Sequence, residues 1–230
     1  MTRGLKQAVG DSIPIIGMVM SPFSLPVMQL GFEKYLELIY FKPELFKQLM
    51  ALNSTFCVEW ANAQLAAGAT AICYFNPLAS PTIIEKATYL KTGYPFDCQT
   101  LAKINGPTAT HLASGLTLPV LDEIIASKTA LLGFGLDDDV AVLKTRASHQ
   151  IALLGNLNGI EMVNWSPEQT RATVKTLIQK AGVGGGLLLS DSHGEIPYQV
   201  PPAVLATIAD TVAEWGQYPL KWIGADHNAS

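Results

Sequence analysis

Short apolar runs alternate along the chain with longer stretches whose apolar residues recur at helical spacing. The runs are almost continuously apolar, as in strands whose two faces are both covered by helices. They predict six strands, over residues 12–20, 69–75, 108–114, 128–135, 150–159 and 184–192. The longer stretches predict helices over residues 43–68, 95–105, 117–127, 137–148, 166–182 and 201–216.

Capping residues indicate where two of these helices begin or end. Ser166 precedes a proline and suits the N-cap of segment 166–182, and Gly182 suits its end. Three aspartates, 137–139, open the helix predicted over 137–148, where carboxylates accept free backbone N–H groups. These signals place the helix boundaries within a residue or two.

The strand–helix alternation predicts an α/β protein with a parallel sheet. A doubly wound sheet and a (β/α)₈ barrel both fit, but no G-x-G-x-x-G follows the first strand. Polar or small residues follow every strand, at the rim where barrel enzymes keep their chemistry. We therefore predict a TIM-barrel type with about six of its eight βα units, in one domain over 1–230.

Composition excludes several classes of protein. The formal net charge is −4 and no Lys/Arg block occurs, so nucleic acid is not an expected partner. No apolar run approaches a membrane span, and no apolar segment of a signal peptide follows the N-terminus. Three cysteines without C-x-x-C spacing indicate reduced thiols and a cytoplasmic protein.

Two histidines are the leading candidates for catalysis. His193 lies in the polar cluster after the sixth strand, and its imidazole could move a proton, bind a metal or hold a substrate. His111 lies in the third strand, where an inward side chain would face His193 across the barrel mouth. Local packing of His193 and a core role for His111 are the alternatives. His149 and His227 have no partners by sequence.

Three further polar residues are candidates for substrate binding. Asn76 and Asn156 follow or end strands, and each is also typical of a turn. Asp191 could orient the ring of His193 or accept hydrogen bonds from the backbone after it. We expect His193 to be partly exposed at the rim, in the same cavity as Asn76.

Five segments together resemble a known family. They are "MSPFSLPVMQLG" (20–31), "FNPLASP" (75–81), "ATHLASG" (109–115), "GNLNG" (155–159) and "SHGEIPYQVP" (192–201). In this order they are similar to motifs of the uroporphyrinogen decarboxylase superfamily, a TIM-barrel group that includes cobalamin-dependent methyltransferases. The second and third segments resemble the methylcobamide:thiol methyltransferases most.

The resemblance implies methyl transfer from a methylated corrinoid to a small acceptor, a thiol or a pterin. A corrinoid protein would then be a partner, with His111 and His193 as catalytic residues. Those methyltransferases bind zinc through His-x-Cys and a distant Cys, where this chain has His111, Ala113 and His193. No tightly bound cofactor is therefore expected, and His111 and His193 are the candidate ligands should zinc bind. The match also lacks the family's N-terminal part, which would supply two βα units.

Two other functions remain open. Uroporphyrinogen decarboxylation, a step of porphyrin biosynthesis, needs cationic clamps for the tetrapyrrole carboxylates. The only arginines are Arg3, Arg146 and Arg171, none in a strand-end loop. A truncated barrel that binds a small molecule without turnover is the third possibility. Open sheet edges invite association, so we also expect a homo-oligomer.

Overall fold

The computed structural model describes residues 1–223. Its strands are β1 (Ile16–Met20), β2 (Ala71–Phe75), β3 (Thr108–His111), β4 (Leu131–Gly133), β5 (Ala152–Leu157) and β6 (Leu187–Asp191). Its α-helices are α1 (Thr2–Val9), α2 (Leu25–Leu30), α3 (Phe32–Phe41), α4 (Pro43–Ala66), α5 (Lys86–Lys91), α6 (Tyr94–Leu101), α7 (Leu121–Ala126), α8 (Val140–Ala147), α9 (Pro167–Ala181) and α10 (Pro202–Trp215). Short 3₁₀ helices span Pro77–Ala79, Leu118–Val120 and Glu161–Asn164.

All six strands lie in one parallel sheet in the order β1-β2-β3-β4-β5-β6. Strands that are consecutive in sequence pair with each other, and a helical connection separates each pair. The α/β prediction and the count of six βα units are confirmed, and the arrangement is of the TIM-barrel type. All the carboxyl ends consequently meet at one rim.

The two faces of the sheet differ in their contacts. Val19, Ile72 and Tyr74 pack with Cys57 and Ala61 of α4, so these side chains point outward to the helical layer. Side chains alternate along a strand, so the neighbouring positions face inward, toward the barrel axis. The inward set at the rim includes Phe75 and His111, which are paired across β2 and β3.

The helix boundaries agree closely with the capping signals. Helix α9 begins at Pro167, and the hydroxyl of Ser166 accepts a hydrogen bond from the N–H of Gln169 at 3.2 Å. The carboxylate of Asp139 accepts from the N–H groups of Ala141 and Val142 at the start of α8. Asp139 therefore caps α8, as predicted, whereas the buried Asp138 accepts from the N–H groups of Thr117 and Leu118 in the segment before α7.

The strands are shorter than predicted. Strand β1 begins at Ile16 instead of Ser12, since Pro14 cannot donate a ladder hydrogen bond. Strand β4 spans only three residues, Leu131–Gly133, of the predicted range 128–135. It begins later because Lys128 has a φ of 63° and the chain turns there. The sequence pattern did not predict helices α1, α2, α3 and α5.

Within residues 1–223 the first and last strands do not pair with each other, so the sheet has two open edges. We call the gap between β6 and β1 the seam. On the β1 edge, the side-chain amide of Gln64 accepts from the N–H of Met18 at 3.2 Å and donates to its C=O at 3.1 Å. Gln64 thus binds the backbone groups that a neighbouring strand would bind.

Candidate functional site

His111 lies at the rim end of β3 and is 3% exposed. Its Nδ1 accepts a hydrogen bond from the N–H of Ala113 at 3.0 Å. Burial lowers the pKa of His111, while nearby Asp191 raises it and His193 lowers it. The ring is therefore neutral near pH 7, with its proton on Nε2, where it can donate a hydrogen bond.

Phe75 and Gly133 lie beside the His111 ring on the inner face, and we call these three residues the His111 layer. Phe75 stacks on it, with ring centroids 5.7 Å apart and planes at 25°. Gly133 lies beside it on β4, where an added Cβ would be only 2.2 Å from the imidazole Cδ2. The absence of a side chain at Gly133 therefore makes room for the ring.

The segment after β6 folds back over this layer. A Cβ at Gly194 would lie 3.5 Å from the Phe75 ring and 4.0 Å from Cε1 of His111. Gly194 has a φ of 85°, which favours glycine, and this turn brings the backbone across the barrel mouth. His193 is partly exposed there, as expected for a rim residue.

Asp191 fixes this turn through the backbone. Its Oδ2 accepts from the N–H of His193 at 2.8 Å and from the N–H of Gly194 at 2.7 Å. The His193 ring instead contacts Ser192, with Nδ1 and Oγ 3.2 Å apart. The interpretation of Asp191 as the group that orients the His193 ring is corrected in favour of the backbone alternative.

Asn76 lies at the rim but faces away from it. It is 1% exposed; its Oδ1 accepts from the hydroxyls of Ser21 and Ser24, and its Nδ2 donates to Asp97 at 2.7 Å. The expectation that Asn76 shares a cavity with His193 is therefore corrected. A substrate contact by Asn76 would require this buried network to open.

Asp97, on α6, was missed at the sequence level. Its carboxylate is 2% exposed and also accepts from the hydroxyls of Tyr74 at 2.6 Å and Tyr89 at 2.9 Å. Burial raises the pKa of Asp97 to about 6, although these hydrogen bonds oppose the rise. Nothing in the sequence near Asp97 indicates its partners, which come from two other segments, the end of β2 and α5.

The fifth candidate, Asn156, is paired with Ser190 in the β5–β6 ladder. Its Nδ2 donates to the C=O of Gly135 at 2.9 Å, so the amide ties β5 to the end of β4. The structure therefore brings His111, His193 and Asp191 together, and directs Asn76 elsewhere. His227 lies outside the described residues.

The residues at the rim do not fit the zinc site of the methylcobamide:thiol methyltransferases. Ala113 has no ligand atom, and Nδ1 of His111 is taken by the Ala113 N–H group. Across residues 1–223, no three His, Cys, Asp or Glu side chains are grouped as metal ligands. Glu195, close to His193 in sequence, is exposed.

Two of the three arginines, Arg146 of α8 and Arg171 of α9, are engaged in ion pairs of the helical layer. Arg146 binds Asp122 at 2.8 Å, and Arg171 lies 3.5 Å from Glu214, each in an exposed ion pair between helices. A cavity of about 360 Å³ that includes Lys144 and His149 lies at the opposite end of the strands, beside the Gly184–Gly186 turn.

Among residues 1–223, no helix is long and apolar enough to cross a membrane.

Comparisons with known proteins agree with this architecture. The uroporphyrinogen decarboxylases of Tolumonas auensis and Psychromonas ingrahamii are 24% and 25% identical, over 91% and 92% of this chain. The chain spans only 61% and 62% of their lengths. A methyltransferase from Methanosarcina mazei has a similar fold, with a TM-score of 0.85 and 18% identity, over 94% of this chain and 63% of that one. The family model of uroporphyrinogen decarboxylase (URO-D) matches residues 1–215, and the chain therefore belongs to this family.

Proposed function

We propose that this chain carries the acceptor-activating site of a methyltransferase, which moves a methyl group from a methylated corrinoid to a small acceptor. The observation that carries the proposal is the His111 ring stacked on Phe75 at the rim, with His193 nearby in the segment after β6. A small thiol or pterin would lie on this face. The methylated corrinoid, held by a partner protein, would approach from the open mouth.

The two imidazoles have different tasks in this proposal. Neutral His111 donates from Nε2 and orients the acceptor, because its Nδ1 is already occupied. His193 is partly exposed and takes the proton that the acceptor loses. With a thiol, the S–H bond breaks and an S–C bond forms at the methyl carbon. The electron pair of the broken methyl bond stays with the corrinoid.

Asp191 and Asn156 have supporting roles. Asp191 binds two successive N–H groups and so sets the height of His193 above the inner face. Asn156 joins β5 to the segment after β4 at the rim. Asn76 positions the β2 rim through Asp97, and its own N–H donates to the C=O of His111 at 2.7 Å. The three free cysteines suit the reducing cytoplasm, where we place the protein.

Decarboxylation of uroporphyrinogen is the second candidate, because the curated relatives carry that name. The distribution of cations opposes it. The substrate bears several carboxylates, and such groups are best held by the paired N–H donors of arginine. The arginines of this chain lie on α1, α8 and α9, and two of them already pair with acidic side chains. A barrel that only binds a small molecule is the third candidate.

The test follows methyl transfer from methylcobalamin to 2-mercaptoethanol or tetrahydrofolate, read from the absorbance of the cobalamin. We expect transfer that His193→Ala slows at least tenfold, which corresponds to ~1.4 kcal/mol in the barrier. His149→Asn is the matched control, because His149 lies at the opposite rim and asparagine tolerates its φ of 57°. Release of CO₂ from uroporphyrinogen without methyl transfer would establish the decarboxylase. Ligand binding without either reaction would establish the third candidate.

A further inference from the structure

The seam is bordered by three exposed apolar surfaces. The first is the inner face beside the open edges, where Ile16 and Met18 of β1 are 57% and 58% exposed and Leu188 of β6 is 47% exposed. These residues occupy inward positions, which a closed barrel would bury in its packed interior. Exposed apolar residues on both sides of one gap mark a surface that binds another polypeptide.

The second surface is one flank of α4, the helix that follows β1. Leu52, Phe56 and Trp60 are exposed and lie on one flank by helical spacing. Helix α6 packs on the opposite flank, where Asn62 donates to the C=O of Lys103. The apolar flank therefore faces away from the rest of the helical layer, toward the seam.

The third surface is the matching flank of α10, the helix that follows β6. Leu205 and Val212, seven residues apart, are exposed on one flank. Helix α9 packs on the other, where Arg171 of α9 pairs with Glu214. The two helices that border the seam thus each leave an apolar stripe uncovered on the seam side.

The two edge strands, β1 and β6, run in the same direction. Strands β1 and β6 run parallel in the same sheet, so a strand added to either edge in that pattern is parallel to it. Parallel neighbours need a crossover helix, and crossover helices lie outside the sheet. The apolar stripes of α4 and α10 lie where such helices would pack. The seam therefore has the shape and chemistry of βα units.

We propose that the seam binds a polypeptide that supplies two parallel βα units and closes the barrel. Two units complete the eight of a TIM barrel. The Methanosarcina mazei methyltransferase, whose fold matches, contains further chain, since only 63% of it is covered. A second copy of this chain has six strands, which are too many for a gap of two strands, so it is not the expected partner. In the complex, the incoming strand replaces Gln64 as the partner of Met18.

The experiment mixes the purified chain with the part of the Methanosarcina mazei methyltransferase that lies outside the match. Analytical ultracentrifugation measures stoichiometry, and hydrogen exchange measures protection of β1 and β6. We expect a 1:1 complex in which the amides of 16–20 and 187–191 gain at least tenfold protection. Absence of binding, or protection confined to other segments, overturns the proposal. A homodimer of the chain alone that protects both strands also overturns it, in favour of a second copy.

Matched variants locate the contact. Leu188→Lys, on the inner face, should weaken the complex at least tenfold, whereas Val142→Lys, on α8 and 43% exposed, should leave it unchanged. Equal effects of the two substitutions would contradict the seam as the binding surface. Gln64→Ala should speed amide exchange in β1 of the free chain and have no effect in the complex, because the added strand then binds Met18.

Discussion

The buried Asp97 makes a signed prediction about stability and pH. Its folded pKa is raised from 3.8 to about 6, mainly by burial, so the folded state holds this proton more tightly than the unfolded chain does. The stabilising effect is complete below the unfolded pKa of 3.8 and is lost as pH rises through 6. The free energy of unfolding attributable to Asp97 should therefore fall between pH 4 and pH 7.

The magnitude follows from the shift. A difference of one pKa unit corresponds to about 1.4 kcal/mol, so the rise from 3.8 to about 6 corresponds to about 3 kcal/mol in total. Roughly 2 kcal/mol of this falls between pH 4 and pH 7, because protonation in the unfolded chain is already half complete near pH 4. Complete burial removes the solvent screening that would otherwise reduce the effect.

The assay compares urea unfolding of the natural chain and Asp97→Asn at several pH values. Asparagine cannot titrate, so the difference between the two free energies isolates the Asp97 contribution and should change by roughly 2 kcal/mol from pH 4 to pH 7. Tyr89→Phe removes a hydrogen bond that favours the Asp97 carboxylate and so raises the pKa of Asp97 further. The decrease in the free energy of unfolding with pH should therefore continue to higher pH in this variant. A constant difference between the natural chain and Asp97→Asn would refute the reasoning.

Three further predictions concern single sites. Gly133→Ala should destabilise the chain by about 1–3 kcal/mol and shift the imidazole resonances of His111, because the new Cβ would overlap the ring; unchanged NMR signals would contradict this packing. Ser166→Ala should cost about 1 kcal/mol in urea unfolding and Ser166→Gly only a few tenths, and equal losses would exclude a capping role. Burial raises the pKa of Cys57 to about 12 and of Cys73 to about 11, so both thiols should resist iodoacetamide at pH 8 until the chain unfolds; rapid native alkylation would show that they are accessible.

The sheet could be predicted from the sequence because its signals are local. Each strand is a near-continuous apolar run, and the parallel neighbours follow one another in sequence, so the sheet contains no pairing between distant segments. The Ser166 cap and the helix after it depend on four consecutive residues. Pro14 and Lys128 shortened two strands through backbone conformation, which apolar periodicity does not report.

The orientation of the rim side chains could not be predicted in the same way. Asn76 faces inward or outward according to whether a buried acceptor exists on the outer side, and that acceptor, Asp97, lies 21 residues away on α6. For Asp191, both roles were chemically reasonable, and the backbone role prevails because the turn at Gly194 brings two N–H groups to one oxygen. His111 and His193 came together because strand ends meet at one rim, which the fold class already implies.

The order of the strands also bears on how the chain folds. Every strand pair joins neighbours in sequence, and no pairing connects β1 with β6 in the described residues. Closing a loop becomes entropically more costly as the loop lengthens, and non-local pairings slow folding for this reason. This chain can instead add one βα unit at a time, and β1 can pair as soon as β2 has left the ribosome. Its folding rate should therefore depend on the local connections and not on a final encounter between the two ends.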